Sequence, residues 1–337
     1  MIDYLEKVRQ GSPRVIARMI TAVENDKDMA QEITSSLYTH TGQAHIVGVT
    51  GPPGCGKSTL VNELAKRFND LGKRVAVIAV DPSSSFTGGA LLGDRIRMSD
   101  AAEREGVFIR SMASRGNLGG LAQAASAAIR ILDAAGYDVI FVETVGAGQA
   151  EVDIASVAYT ILVVEAPGSG DEVQSIKAGI LEIADILIVN KADRPTALQT
   201  VRALEVMLQF DLPVVSQHHA QFVGESSSPN EDTAVFGRWQ VPVLQTVATE
   251  GEGMSALVNK INEHHDHLVK TGELFQREIQ RSKLEIDQLL QHQIMSRSRN
   301  SILADQRDRF ITAVAKREMD PYMAADQLFE MVNRHYS

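Results

Sequence analysis

Three kinds of residue in this chain have types and spacing suited to phosphate, metal and base chemistry. The first run is Gly51-Pro52-Pro53-Gly54-Cys55-Gly56-Lys57-Ser58-Thr59, which reads Gly-x-x-x-x-Gly-Lys-Ser, the P-loop pattern. Glycines let backbone N–H groups converge on phosphate oxygens where a side chain would obstruct them. The following helix opens with unpaired N–H groups and a partial positive charge, so it favours an anion there. Lys57 can reach the β- and γ-phosphates as a point charge, and the Ser58 hydroxyl can ligate Mg²⁺. All nine residues are nucleotide-binding candidates, with Lys57 also a catalytic one. A chance glycine turn is the competing reading, and both flanks oppose it. His45 to Thr50 is a short apolar run with β-branched residues, and Leu60, Val61, Leu64, Ala65 and Phe68 recur at helical spacing.

The second run is Ile186-Leu-Ile-Val-Asn190-Lys191-Ala-Asp193. Asn-Lys-x-Asp after a buried strand matches guanine by its donors and acceptors. The Asp193 carboxylate accepts from the ring N–H and the exocyclic amine, and Asn190 can donate to the other edge. Adenine would leave Asp193 facing an acceptor, a mismatch that discriminates by about 10⁴-fold or more. The tetrapeptide alone is a weak signal; downstream of a sound P-loop and at a strand end it is a strong one. Ala248, within Thr246-Val-Ala248-Thr249 after the last strand, is a candidate for a backbone amide toward the base.

Carboxylates at strand ends form the third kind. Arg74-Val-Ala-Val-Ile-Ala-Val-Asp81 ends on an acid and enters a Ser-, Thr- and Gly-rich loop reaching Asp94. Asp81 or Asp94 can hold Mg²⁺ directly or through water, since hard cations prefer oxygen; a helix-capping aspartate is the structural alternative. Val139-Ile-Phe-Val-Glu143-Thr-Val-Gly146 ends the same way. A carboxylate here helps hold Mg²⁺ in P-loop NTPases, and the Gly146 amide is placed to sense a γ-phosphate. Ala147 stands where Ras-like proteins carry a water-orienting Gln, so intrinsic hydrolysis is expected to be slow until a partner or rearrangement accelerates it. A further glycine-rich loop, from Glu165, leads to Asp171, Gln174 and Lys177, spaced three apart on one helix face. A solvated helix start explains those three equally well.

These residues need a scaffold that gathers strand ends. Apolar strands are expected at 45–50, 75–80, 139–142, 160–164, 186–189 and 241–247, with weaker candidates at 107–110 and 213–215. Helix-length segments separate them. That alternation predicts an α/β fold, a mostly parallel sheet with helices on both faces and ligands at the carboxyl ends of its strands. Flanking it are two helical extensions. Residues 1–43 carry Val15, Ile16, Met19, Ile20 and Val23 on one stripe after a Ser12-Pro13 start, then Met29, Ile33 and Leu37; they pack on the nucleotide domain or on a partner. The domain itself is expected over 44–252. Residues 253–337 begin with Met254, Leu257, Val258, Ile261 and Leu268. A long stripe through Phe275, Ile279, Ile286, Leu289, Leu290 and Ile294 follows, then a last helix from Asp320-Pro321. A stripe beyond a finished domain suits self-association, or packing on its own domain.

Composition narrows the class. The 337 residues, 44% hydrophobic and 23% charged, suit a globular chain, and a net charge of −10 argues against nucleic acid as the main partner. The single cysteine excludes an internal disulfide framework. No apolar run approaches the ~20 residues of a membrane span, so a soluble cytoplasmic protein is expected, or an organellar one after loss of a leader. Cys55 reads as a small space-filler, and His218, His219, His264, His265 and His267 as solvated.

Together these motifs resemble the MeaB/MMAA (ArgK-like) family of GTPase chaperones for adenosylcobalamin-dependent acyl-CoA mutases. Carrying the resemblance are the P-loop, Asp81-Pro-Ser-Ser-Ser, the Thr87-Gly-Gly-Ala-Leu-Leu-Gly-Asp94-Arg run, Glu143-Thr-Val-Gly-Ala-Gly-Gln149, Gly170-Asp171-Glu-Val-Gln174-Ser-Ile-Lys177 and Asn190-Lys-Ala-Asp193. The resemblance implies a SIMIBI-type P-loop G domain and a homodimer held by the C-terminal arm. It implies that GTP hydrolysis gates adenosylcobalamin loading and release of damaged cofactor, the cofactor belonging to the partner. The partner would be methylmalonyl-CoA mutase or a relative acting on isobutyryl-, ethylmalonyl- or 2-hydroxyisobutyryl-CoA, with its adenosyltransferase as a second candidate. By the same resemblance Asp94 falls in a first switch and Glu143 is the magnesium-side acid. Asp171, Gln174 and Lys177 form a third switch. Pro52-Pro-Gly-Cys55 departs from the commoner Thr-Pro-Gly-Ala, and 217–238 looks atypical. Competing readings are a metal-insertion GTPase, which calls for His/Cys clusters near the switches, and a transport-associated ATPase or kinase, which Asn190 and Asp193 oppose.

Overall fold

The computed structural model describes residues 4–82, 99–114, 120–144, 154–168, 183–210, 237–301 and 304–336. In chain order the elements begin α1 (Tyr4–Arg9), α2 (Pro13–Asn25), α3 (Lys27–Leu37), β1 (His45–Thr50), α4 (Lys57–Asp70) and β2 (Val75–Pro82). Next come α5 (Ser99–Ala102), β3 (Val107–Ser114), α6 (Gly120–Ala134), β4 (Val139–Thr144), β5 (Thr160–Glu165), β6 (Ile186–Asn190) and α7 (Ala197–Phe210). The last are β7 (Val243–Thr246), α8 (Met254–Lys270), α9 (Glu273–Ser301), α10 (Ala304–Ala315) and α11 (Pro321–Tyr336). Two compact units divide the chain, Met1–Arg281 and Ser282–Ser337.

The first unit is built on a seven-stranded sheet in the order β3-β2-β4-β1-β5-β6-β7, with every pairing parallel. Its inner strands, β1, β2, β4, β5 and β6, are buried on both faces, so they read as continuous apolar runs rather than alternating ones. The period-two geometry still sorts their side chains. Val47 and Val49, with Val75 and Val77, enter one core with α4 and α8, through Leu60, Leu64, Phe68, Met254, Leu257 and Ile261. Ile46, Ala76, Ile78 and Val80 enter the other, with α2, α3, α6 and α7, through Ile16, Ile20, Ile33, Ala128, Ile131 and Leu204. The N-terminal helices therefore lie on the α6 face of the sheet.

The helix starts read from sequence have their caps. Ser12 accepts from the Val15 N–H ahead of Pro13; α3 has a cap that the sequence reading did not name, Asp26, which accepts from Asp28 and Met29. The Asp320 carboxylate accepts from Tyr322 and Met323 at the start of α11. The weak candidate at 107–110 forms an eight-residue edge strand, β3; Arg110 interrupts its apolar pattern because it donates to Glu24 and Thr21 of α2. The candidate at 213–215 lies outside the described residues. The second unit comprises the remainder of α9 with α10 and α11, the latter two packed on each other. Among the described residues, no helix is long and apolar enough to cross a membrane.

Candidate functional site

β1 is central, with β4 on one side and β5 on the other, and the chain leaves its carboxyl end as the glycine loop. Such a point, where successive connections run to opposite sides, is where open parallel sheets bind ligands. Gly51 makes the exit with φ +141°, and a Cβ there would stand 2.0 Å from the Val164 carbonyl oxygen of β5. Only glycine permits that approach. The loop ends at Gly56, φ +97°, where a Cβ would meet Asn190 Nδ2 at 2.5 Å. Between them Pro53 and Gly54 are exposed while the Cys55 side chain is buried in the α4 core, its thiol pushed up to about 11 by burial. Cys55 thus fills space beneath the loop. Lys57 opens α4, buried, with Nζ donating to the carbonyls of Gly51 at 2.7 Å and Pro52 at 3.0 Å.

Register sets the carboxylate. Val49 of β1 pairs with Glu143 of β4, so Glu143 arrives beside the loop. Ser58 Oγ donates to Glu143 Oε1 at 2.6 Å, with Glu143 buried. A hydroxyl and a carboxylate brought together at a helix start are hard oxygen donors, the type Mg²⁺ takes. The residues present therefore fit that ion. Asp81 lies near the same end of the sheet, in β2, opposite Ala113 of β3. Asp94, Gly146, Asp171, Gln174 and Lys177 lie outside the described residues.

The base motif grips the loop. Asn190 ends β6 and is buried; its Nδ2 donates to the Cys55 carbonyl at 2.9 Å. Its Oδ1 accepts from the Thr246 hydroxyl at 3.1 Å and the Ala248 N–H at 3.2 Å. Lys191 has a left-handed backbone, φ 58°, and its Nζ donates to the Gly54 carbonyl at 2.7 Å. Asp193 is exposed. Asn190 is therefore a junction between β6, the P-loop and the chain after β7, where the sequence suggested only a donor to the base. The Ala248 amide, expected to face the base, is turned onto Asn190.

Two features went unseen in the sequence. Arg67, in the last turn of α4, donates to the Gly251 carbonyl and the Ser255 hydroxyl. At the opposite end of the sheet, His264 is not on a solvated face but fully buried. Its Nδ1 lies 2.9 Å from Thr160 Oγ1, which lies 2.7 Å from His45 Nε2, while its Nε2 lies 3.3 Å from Asp185 Oδ1. Arg277 of α9 donates from Nη1 and Nη2 to both oxygens of Asp185, at 3.0 and 2.9 Å. Burial pushes the Asp185 carboxyl upward, but Arg277 and His264 outweigh it and hold the group well below the usual carboxylate range. The solvated reading does hold in part for His265 and His267, which are half-buried.

A central strand feeding a glycine loop into a helix start, within an all-parallel sheet flanked by helices, is the P-loop NTPase fold. Residues 16–302 match the family described as methylmalonyl-CoA mutase-associated GTPase MeaB. The chain belongs to that family of GTPases. A protein of Pyrococcus abyssi named as a GTPase is 47% identical over 333 residues, covering 98% of this chain and 97% of its own length. The mouse methylmalonic aciduria type A homolog, mitochondrial, is 30% identical over 300 residues, covering 85% of this chain and 68% of its own. A crystal structure of a protein named LAO/AO transport system kinase superposes with a TM-score of 0.69 at 25% identity, covering 98% of this chain and 96% of that one.

Proposed function

We propose that this GTPase is a chaperone of an adenosylcobalamin-dependent acyl-CoA mutase, gating cofactor loading and protecting or reactivating the mutase. The family match over 16–302 supports the reading, because it takes in the phosphate loop, the carboxylate strand and the base motif together. Methylmalonyl-CoA mutase is the first candidate partner and 2-hydroxyisobutyryl-CoA mutase another, with the mutase's adenosyltransferase as a further contact; adenosylcobalamin resides on the partner.

In this reading the segment Gly51 through Thr59 cradles the phosphates, its N–H donors coming from residues other than Pro52 and Pro53, which have none. Lys57 turns its ammonium from the Gly51 and Pro52 carbonyls onto phosphate oxygens. Ser58 and Glu143 would hold Mg²⁺, with Asp81 and Asp94 as the further carboxylates. Bound there, the ion supplies charge neutralisation for the β- and γ-phosphates. Asp193 reads the guanine edge; Asn190, Lys191 and Ala248 hold the base pocket against the P-loop. Gly146 senses the γ-phosphate, and Asp171, Gln174 and Lys177 form the switch through which mutase contact raises a slow intrinsic rate. Exposed Ile286, Leu289, Leu290 and Ile294 on α9 support the C-terminal arm as a homodimer interface.

Steady-state GTP turnover by the purified chain, alone and with each candidate mutase, tests the reading, with ATP as control. Slow GTP turnover that rises with one mutase is expected. Equal ATP turnover would favour a kinase, the activity for which the structural relative is named.

A further inference from the structure

The phosphate and base halves of the site are joined at Asn190 and Lys191, and the chain after β7 must itself be held in place for Ala248 to meet Asn190. That chain folds back on itself, Val247 N–H donating to the Glu252 carbonyl at 3.1 Å and Glu250 N–H to the Val247 carbonyl at 3.0 Å. From the last turn of the P-loop helix, Arg67 reaches it. Nη2 donates to the Gly251 carbonyl at 3.3 Å and Nη1 to the Ser255 hydroxyl at 3.0 Å, in the first turn of α8. Nε donates to Glu63 Oε1 at 3.4 Å, which fixes the guanidinium from its own helix. Apolar packing through Met254, Leu257 and Ile261 anchors α8 itself, and the same core takes in Ala248 at the start of the turn, while Thr249, Glu250 and Glu252 beyond it are exposed.

We infer that Arg67 is a positioning residue for guanine binding. It fixes the turn Val247–Glu252 against the helix that begins with Lys57, and thereby sets where Ala248 and Asn190 stand when the base enters. A planar fork donating to two acceptors at fixed spacing suits arginine, and a lysine ammonium offers only a point charge. The inference rests on the guanine-site reading above.

The test uses the full chain and competition against a fluorescent GDP analogue, with two probes: GDP, and inorganic triphosphate, which carries the phosphates without a base. Arg67→Ala should weaken GDP about fivefold, as expected for two hydrogen bonds from a partly exposed cation. It should leave inorganic triphosphate unchanged, and Arg67→Lys should fall between. Unchanged GDP affinity overturns the inference. So does an equal loss for both probes, which would mean that Arg67 acts on the P-loop or on folding. Asp193→Asn in the same assay separates the two levels: if it fails to shift preference from guanine to xanthine diphosphate, the guanine-site reading falls and Arg67's role with it. If it does shift preference, an unaffected Arg67→Ala sinks this inference alone.

Discussion

Removing the guanidinium of Arg277 should destabilise the unit Met1–Arg281 by about 3–5 kcal/mol, the cost of leaving a buried charge without its partner. The magnitude follows from what surrounds Asp185, which is 1% exposed. Its Oδ2 accepts from the Ile161 N–H at 2.8 Å and from Arg277 Nη1. Its Oδ1 takes Arg277 Nη2, with His264 Nε2 at 3.3 Å. Without Arg277 the carboxylate keeps one amide and one imidazole, too little for its four lone pairs. Arg277 also donates to the Tyr159 carbonyl at 2.6 Å, which loses that donor. Arg277→Met keeps the apolar stem and separates charge from packing. The single tryptophan, Trp239, makes the assay local: its Nε1 donates to the Asp185 carbonyl at 2.8 Å and its ring lies 4.7 Å from that of His264. Urea unfolding followed by its fluorescence therefore reports this corner.

The same network sets a pH dependence. Asp185 Oδ1, the His264 ring, Thr160 Oγ1 and His45 Nε2 form one buried chain of polar contacts, at 3.3, 2.9 and 2.7 Å in turn. Burial, with His265 and His264 adding to it, holds His45 well below the ordinary value. The unfolded chain takes up that proton first, so stability should decline as pH falls below about 6.5. The Asp185 contribution is present above about 3.9 and is lost only as pH falls through its lower folded value. In Arg277→Met the folded value rises toward the unfolded one, so that second loss should shrink. A variant within about 1 kcal/mol of wild type at pH 7.5, or wild-type stability flat from pH 7 to 5.5, would refute the reasoning.

Other expectations concern the site and the arm. Asp193→Asn should lose guanine preference by about 10⁴-fold and gain xanthosine triphosphate turnover; retained GTP preference in competition binding would remove Asp193 from the base site. Glu143→Gln keeps an acceptor for Ser58 but not the charge, so the Mg²⁺ concentration for half-maximal GTP turnover should rise roughly 10–100-fold; an unshifted titration would place the metal acid elsewhere. Leu290→Asp, on the exposed face of α9, should give a monomer by light scattering with nucleotide affinity intact; a dimer that survives would move the interface off this stripe.

What was legible in the sequence follows from which signals have a period or a motif. The strands at 45–50, 139–142, 160–164 and 186–189 were readable because burial on both faces leaves short β-branched runs that end at polar residues. The phosphate loop and Asn190 were readable because ligand chemistry demands fixed residue types at strand ends. Asn190's grip on the Cys55 carbonyl was not, because nothing local to either residue records that β1 and β6 flank β5. The network around His264 was missed for the same reason at the other end of the sheet. His45 and Thr160 open β1 and β5, and Asp185 immediately precedes β6. These three strands are neighbours, so their first residues meet as surely as their last ones do. Pairing His45, Thr160 and Asp185 in advance would have required the strand order, which is a property of the connections and leaves no periodicity in the chain. The His264-His265-Asp266-His267 run then misled because its polarity suggested water, when one of its four side chains was answering a carboxylate inside the sheet.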